Sequence, residues 1–247
     1  MVTGSSGFIG RHLVKYLIEN NYKVVEVDRL TGREVIDLKE NDLKDIDIVV
    51  HLAAQTSVWN DDIEQIEKDN IQSFIHIFNL CKYLNKRFIY ASSSCSVNIT
   101  SMYGLSKHFD DLYADIYGWN ECIGLRFHNV YGMNPRPDTL LGVCMTGKVT
   151  MYNNGKNLRH FTYVDDVCKA IEKSFSLKKG LYNVLNPEIN SVEEFVGEVS
   201  KYTNIDVFST DDLRDYDKDS QFVNSFHENL LEDHYTSLSE GIYKIFH

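Results

Sequence analysis

Thr3-Gly4-Ser5-Ser6-Gly7-Phe8-Ile9-Gly10 opens the first helical pattern of the chain, and its reading decides the fold. Glycines at these places let the backbone turn tightly and approach a phosphate group. The free amides at the start of the helix that follows attract its negative charge. Working outward, strand-like and helix-like segments alternate. Lys23–Val27, Ile46–Ala53, Arg87–Ser92 and Ile123–Phe127 are short, β-branched or aromatic, and bounded by turns, which predicts buried parallel strands. Gly7–Asn20, Ile71–Leu84 and Tyr103–Tyr117 carry helical spacing. Inward stripes are expected at Phe8, Ile9, Leu13, Leu17 and Ile18 in the first, and at Leu105, Phe109, Leu112 and Ile116 in the last.

This alternation implies an α/β fold, a Rossmann-like doubly wound parallel sheet. After Tyr131 the pattern loosens. Strand candidates at Val149–Tyr152, His160–Val164 and Leu181–Val184 mix with helices at Asp165–Phe175, Val192–Tyr202 and Ser237–Phe246, as in a small C-terminal substrate-binding lobe on the sheet's carboxyl edge. Residues 1–247 read as a single catalytic unit, with a dinucleotide-binding lobe over roughly 1–130 and 159–185 and a substrate-binding lobe over roughly 131–158 and 186–247. Only Met1 and Val2 precede the glycine motif, where a central strand is expected. A stub there should cost ladder partners, so either the strand is unusually short or the chain start is clipped or misassigned.

With 247 residues, 43% of them hydrophobic, the chain can bury one sizeable core. Thirty-six acidic against 25 basic residues give a net charge of −11, which disfavours nucleic acid and anionic membrane as partners. There is no long apolar run and no charged-then-apolar segment at the start, so a soluble cytoplasmic chain is expected. Cys81, Cys95, Cys122, Cys144 and Cys168 are scattered without a C-x-x-C pair and read as reduced thiols. None of the nine histidines has metal-ligand spacing, so no metal is expected.

Asp28 ends the strand after the glycine motif, where a carboxylate can accept hydrogen bonds from adenosine ribose hydroxyls. An acid there repels a 2′-phosphate and favours NAD over NADP; Arg29 softens that preference without reversing it. Further on, Tyr103-Gly104-Leu105-Ser106-Lys107 follows a serine run, Ser92-Ser93-Ser94. A tyrosine and a lysine four apart share one side of a helix. A free phenol has a pKa of about 10, and an ammonium about 4 Å away in a medium of dielectric near 20 is worth on the order of three pKa units. Tyr103 is therefore expected to approach neutrality as a base. The pattern alone also suits a half-buried tyrosine and a solvated lysine, so its company decides. His51 reads as a strand terminus, Asp165-Asp166 as a helix cap, and Trp119 as a packing residue. Trp59 stands close enough to the proposed sugar pocket to leave open.

As a set, Thr3–Gly10, His51-Leu52-Ala53-Ala54-Gln55, Asp69-Asn70, Tyr90–Ser94, Tyr103–Lys107, Leu125–Gly132, Arg136-Pro137-Asp138 and Arg159–Asp166 resemble the extended short-chain dehydrogenase/reductases of the NAD-dependent epimerase/dehydratase type, similar to UDP-glucose 4-epimerases. The resemblance implies that Gly4, Ser6, Gly7, Phe8, Ile9, Gly10, Asp28 and Arg29 hold NAD, with Asp37 and Leu38 at its adenine. Leu52, Ala53 and Ala54 would line the nicotinamide side, with Asn70 and Ser92 close by. Ser94 would bind the sugar hydroxyl that is oxidised, Tyr103 would take its proton, and Lys107 would hold the nicotinamide ribose. Asn129, Arg159 and, more loosely, Arg214 match contacts to the substrate diphosphate. A homodimer through Ile71–Leu84 and Tyr103–Tyr117 is likewise implied.

Relatives of this kind diverge after a shared first oxidation. The dehydratases carry an Asp-Glu pair after the serine, where this chain has Cys95-Ser96. The epimerase-reductases carry a cysteine two places on, where this chain has Ser96. A 4-epimerase acting on a UDP-hexose is what remains. An NAD-dependent dehydrogenase or reductase of a sugar nucleotide, and a non-catalytic NAD-binding protein, stay open as alternatives. Ser94 and Tyr103 are only nine residues apart, and Asn98 stands where a tyrosine is common, so the parts expected to cover the sugar are reduced.

Overall fold

The computed structural model describes residues 1–60, 62–213, 227–232 and 234–247; Arg214 lies outside them. The first half runs β1 (Val2–Thr3), α1 (Phe8–Glu19), β2 (Glu26–Val27), β3 (Ile48–His51), α2 (Ile63–Ile66), α3 (Ser73–Tyr83), β4 (Arg87–Ser93), α4 (Met102–Tyr117) and β5 (Cys122–Phe127). Then follow β6 (Val130–Tyr131), α5 (Leu140–Met145), β7 (Lys148–Met151), β8 (Leu158–Arg159), β9 (Thr162–Tyr163) and α6 (Val164–Lys173). The described elements end with β10 (Gly180–Val184), β11 (Asn190–Ser191), α7 (Val192–Ser200), β12 (Asp206–Ser209) and α8 (Leu238–Phe246).

Six strands form one parallel sheet in the order β10-β5-β4-β3-β1-β2. The chain moves outward in one direction from β1 to β2 and in the other from β1 to β3, so the carboxyl ends of β1 and β3 frame a switch point, where such sheets bind ligands. The fold is the expected Rossmann-like one. The central β1 has two residues, and the backbone of Met1 extends its pairing: its amino group donates to Ile48 O (2.8 Å) and its carbonyl accepts from Val50 N (2.9 Å).

Side chains alternate across the strands. Val50, Ile89, Ile123 and Leu125 face α1 and α6, while Val49, Phe88, Tyr90 and Cys122 face α3 and α4. A third cluster joins Tyr131, Leu141, Phe161, Phe195 and Ile242 from the later elements. The helix expected at Ile71–Leu84 starts earlier, because α2 runs through a π-helical stretch at Glu67–Gln72 into α3. That widened turn buries Asp69 and Asn70, a use of π geometry common near functional sites.

Three expectations need correction. Ile18 is exposed, and α1 buries Val14 instead. The stripe Leu105–Phe109–Leu112–Ile116 points away from the sheet; α4 buries Gly104, Ser106, Lys107, Asp110 and Ala114. Asp165 and Asp166 do not cap α6, which starts after Tyr163 without a side-chain cap. Asp166 is buried and accepts the Thr236 amide (2.6 Å), tying the C-terminal segment to α6.

Candidate active site

A cleft of about 780 Å³ opens along the carboxyl ends of β1, β3, β4 and β5. Its floor is the glycine turn. Gly4 has φ +68°, and a Cβ there would meet Ala53 N at 2.7 Å; a Cβ at Gly10 would collide with the Gly4 carbonyl. These glycines let β1, the first turn of α1 and the end of β3 close on one another. Helix α1 starts at Gly7 with neither a side-chain cap nor an acid in its first turn, an arrangement that leaves its leading amides suited to an anion in the cleft. Gly4, Ser6, Gly7, Phe8, Ile9 and Gly10 all line the cleft.

At the end of β2, Asp28 also lines the cleft, and its two oxygens accept from Ser6 N (3.0 Å) and Leu30 N (2.9 Å). Arg29 lines the cleft too, held in an ion pair with Asp69 (2.6 Å), which Gln55 and Gln65 also bind. Asp37 and Leu38 are not in the cleft wall. Leu38 is packed into the core, and Asp37 lies exposed on a 3-10 turn; Leu30, Arg33 and Val35 stand at that end instead.

Leu52, Ala53 and Ala54 line the middle of the cleft. Asn70 does not; it is a strut beneath them, accepting from Gln55 N (2.7 Å) and donating to Gln55 O (3.0 Å) and Ser106 Oγ (2.9 Å). His51 ends β3 with Nδ1 2.8 Å from Thr3 Oγ1, and burial lowers its pKa to about 3, so it is neutral packing.

The serine run lies across from them. Ser92 lines the cleft, and its hydroxyl donates to Asp111 Oδ2 (2.9 Å), as do Ser96 (2.9 Å) and the Arg126 guanidinium (3.0 Å). Asp111 thus clamps the serine loop to α4. Ser93 and Ser94 both line the cleft, and Ser93 is among the groups that pull the Tyr103 phenol pKa down. Ser93 was indistinguishable from its neighbours in sequence. Cys95 is half-buried beside them, and burial raises its thiol pKa.

Tyr103 and Lys107 both reach the cleft from α4. Lys107 is buried, with Nζ 3.0 Å from Asp110 Oδ2. The phenol of Tyr103 is not brought down to neutrality by the protein's own charges. Burial raises its pKa above the ordinary value, and Lys107, the Ser93 hydrogen bond and Arg136 only partly offset that. The sequence estimate credited the whole ammonium field to Tyr103, whereas Asp110 shares it.

The opposite wall carries Asn129, whose backbone has φ +34° and whose buried Nδ2 has no hydrogen-bond partner among the described residues. Arg159 lines the same wall, as does Arg136, a residue quoted in the sequence motif but given no role there. Arg136 bonds the Thr56 hydroxyl and pairs with Asp138 (3.2 Å). Trp59, also in the wall, is exposed, whereas Trp119 stacks on Phe88 and meets Phe78 edge-on as packing.

The model of the NAD dependent epimerase/dehydratase family matches residues 1–184. The chain belongs to that family. It is similar to a putative UDP-glucose 4-epimerase of Methanocaldococcus jannaschii, with 32% identity over 78% of this chain and 79% of that protein. A second relative is the protein CapI of Staphylococcus aureus, 32% identical over 70% of this chain and 68% of its own length. Among solved structures, MoeE5 in complex with UDP-glucuronic acid and NAD superposes with a TM-score of 0.85 and 26% identity, covering 98% of this chain and 95% of that one. The chain is thus an enzyme of an NAD-dependent family, and its cleft fits that cofactor: uncapped amides, glycines where a Cβ would intrude, and a carboxylate at the end of β2. Among the described residues no helix is long and apolar enough to cross a membrane.

Proposed function

We propose that this enzyme is a nucleotide-sugar epimerase that inverts C4 of a UDP-hexose through a transient 4-keto sugar. One observation carries the reading: Tyr103 and Lys107 project from an otherwise apolar-backed helix into a cleft floored by the glycine turn, with Cys95-Ser96 beside them in place of an acid–base pair. Ser96 is committed to Asp111 and burial raises the Cys95 thiol pKa, so neither residue stands in for the acid–base pair of a dehydratase.

Gly4 to Gly10 would hold the NAD pyrophosphate on the amides of α1, and Asp28 the adenosine ribose. Bound NAD supplies a reversible two-electron acceptor and adds positive charge near the phenol. In the proposed reaction Ser94, with Ser93 next to it, orients the C4 hydroxyl. Tyr103 Oη takes that hydroxyl's proton as the carbonyl forms, and gives it back to the oxygen once the sugar has turned its other face. Lys107 holds the ribose and the charge of the phenolate. Asn129 Nδ2, a buried donor without an acceptor among the described residues, suits a diphosphate oxygen, with Arg159 beside it. Arg214 would add to that contact. Residues 131–158 and 186–247 would form the substrate lobe.

Arg136 stands near enough to Tyr103 to pull its phenol pKa down. A guanidinium at that place suits a sugar acid, so UDP-glucuronate belongs in the substrate panel beside UDP-glucose and its N-acetyl relatives. Tyr83, Leu112 and Ile116 are exposed on α3 and α4, and we propose that they pair two copies into a dimer.

The test is incubation with NAD and UDP-, GDP- and dTDP-sugars, followed by NMR of the products. C4 inversion of a UDP-sugar with no net loss of NAD is expected. Stoichiometric consumption of NAD would point to the dehydrogenase alternative, and NAD binding with inertness to every sugar would point to a non-catalytic role.

A further inference from the structure

Lys107 has Tyr103 one turn before it and Asp110 one turn after it, all on the inward face of α4. The Lys107–Asp110 pair is 3.0 Å long, its side chains are 3% and 0% exposed, and Asp110 Oδ1 has no hydrogen-bond partner among the described residues. Such a pair is a poor stabilising device, because desolvation of both charges roughly cancels their attraction and apolar residues of equal volume serve as well. Its placement next to the phenol is what distinguishes it.

We propose that Asp110 is a positioning residue of the reaction: it fixes the Lys107 ammonium and cancels part of its charge, so that the base strength of Tyr103 is set by three groups and not by two. This rests on the reading of Tyr103 and Lys107 as the catalytic pair. With Asp110 ionised, the lysine–aspartate pair is neutral, and removing the phenol proton leaves a net negative charge in a buried site. With Asp110 neutral, the same step leaves a compensated phenolate–ammonium pair. The carboxylate therefore resists ionisation of Tyr103 until further positive charge arrives.

The surroundings add no competing switch. His51 faces Lys107 from β3 and is neutral, its pKa lowered to about 3 by burial. Tyr90 on β4 feels Asp110 and Asp111, and burial holds its phenol protonated. Asp111 on α4 is paired with Arg126. Asp110 itself is raised by burial to about 7, against the pull of Lys107, which brings its change of charge into the working range.

The experiment compares wild type, Asp110→Asn and Tyr103→Phe in two readouts. One is the pH profile of kcat/KM with NAD and UDP-glucose as the probe. The other is the titration of the Tyr103 Cζ NMR signal in the NAD-bound protein, assigned by its absence from Tyr103→Phe. Asp110→Asn should move both the acid limb and the Tyr103 titration down by about one pH unit, as expected for a unit charge removed within ~10 Å at a dielectric near 20. An unchanged limb and an unchanged titration would overturn the proposal, even with Tyr103→Phe inactive. Full activity in Tyr103→Phe would sink the catalytic-pair reading instead, while the NMR titration still judges the coupling. If Asp110→Asn does not fold, Asp110→Ser replaces it. Failure of both to fold assigns the carboxylate to stability and overturns the proposal.

Discussion

Helices α6 and α4 pack on opposite faces of the same sheet with opposite arrangements of side chains. Helix α6 buries Val164, Val167, Cys168, Ala170 and Ile171, together with Asp166 near its start, and exposes Asp165, Lys169 and Lys173. Helix α4 buries Ser106, Lys107 and Asp110 and exposes Leu105, Leu112 and Ile116. The first obeys the rule that apolar residues face the core; the second inverts it. Burying a lysine and a carboxylate is costly without partners, so α4 is held by something other than its own amphipathicity. What holds it is visible: Asp111 gathers Ser92, Ser96 and Arg126, Ser106 accepts from Asn70, and Ser101 caps the first turn on Gly104 N. The contrast teaches that α6 is a packing helix and α4 a helix whose inward face is reserved for chemistry.

The contrast predicts different failures. Tyr103→Phe removes one hydroxyl from the inward face of α4 and should lower turnover on the order of 10³-fold, as loss of a general base does, while leaving the melting temperature nearly unchanged. A variant that folds and turns over normally would return α4 to the status of packing. Ile171→Ala on α6 should do the reverse. Ile171 is fully buried between the sheet and α1, so urea denaturation should show a loss of about 3 kcal/mol while the residual folded fraction keeps its specific activity.

The same contrast shows how far sequence reading reaches. The glycine turn, Asp28, the strands β2 to β5 and the helices α1, α3, α4, α6, α7 and α8 were legible because backbone geometry and strand burial leave periodic marks. The direction of α4 was not, since Leu105, Phe109, Leu112 and Ile116 have the spacing of a core stripe and periodicity cannot say which side of a helix the core lies on. Tyr103, Lys107, Asp110 and Ala114 have that spacing too, on the other side. Ser93 was hidden within a run of three serines, and Asp110 lay beside the acid that holds the loop. Asp37 and Leu38 were placed by resemblance at the adenine, where the structure has two short 3-10 turns that bring Val35 forward instead. Contacts between distant segments, such as Asp69 with Arg29, left no local mark.

The inward face of α4 should make stability depend on pH near neutrality, against the opposing effect of the Met1 amino group, which burial lowers to about 6 from its usual value near 8. Burial raises Asp110 to about 7 from a usual carboxylate value near 3.9, so between those values the native state binds more protons than the unfolded chain. Stability from this group is therefore fully present below about pH 4 and is lost as pH rises toward 7, with a slope on the order of 1 kcal/mol per pH unit. His51 and His128, both lowered to about 3 by burial, act oppositely below pH ~6.5. The measurement is thus the difference between wild type and Asp110→Asn, each followed by urea denaturation from pH 5 to 8. A difference that does not change with pH would mean that Asp110 keeps its ordinary carboxylate character.

The smallest expected change in a protomer comes from the outward face of α4, and it separates two accounts of why that face is apolar. Ile116 is 68% exposed, and Leu112 and Leu105 stand on the same side of the helix. If the face is bare surface, Ile116→Ser leaves everything as it was, since exposed substitutions of this kind stay within about 0.5 kcal/mol. If the face packs against a second copy, the protomer is equally indifferent, but sedimentation equilibrium should find the wild type dimeric and Ile116→Ser shifted toward monomer. The corresponding change on α6, Lys169→Ser, should leave the oligomeric state untouched, because its outward face is already charged. A wild type that is monomeric at all concentrations would leave the inversion of α4 explained by its inward chemistry alone. A dimer lost with Ile116 would show that the helix is inverted because both of its faces are in use.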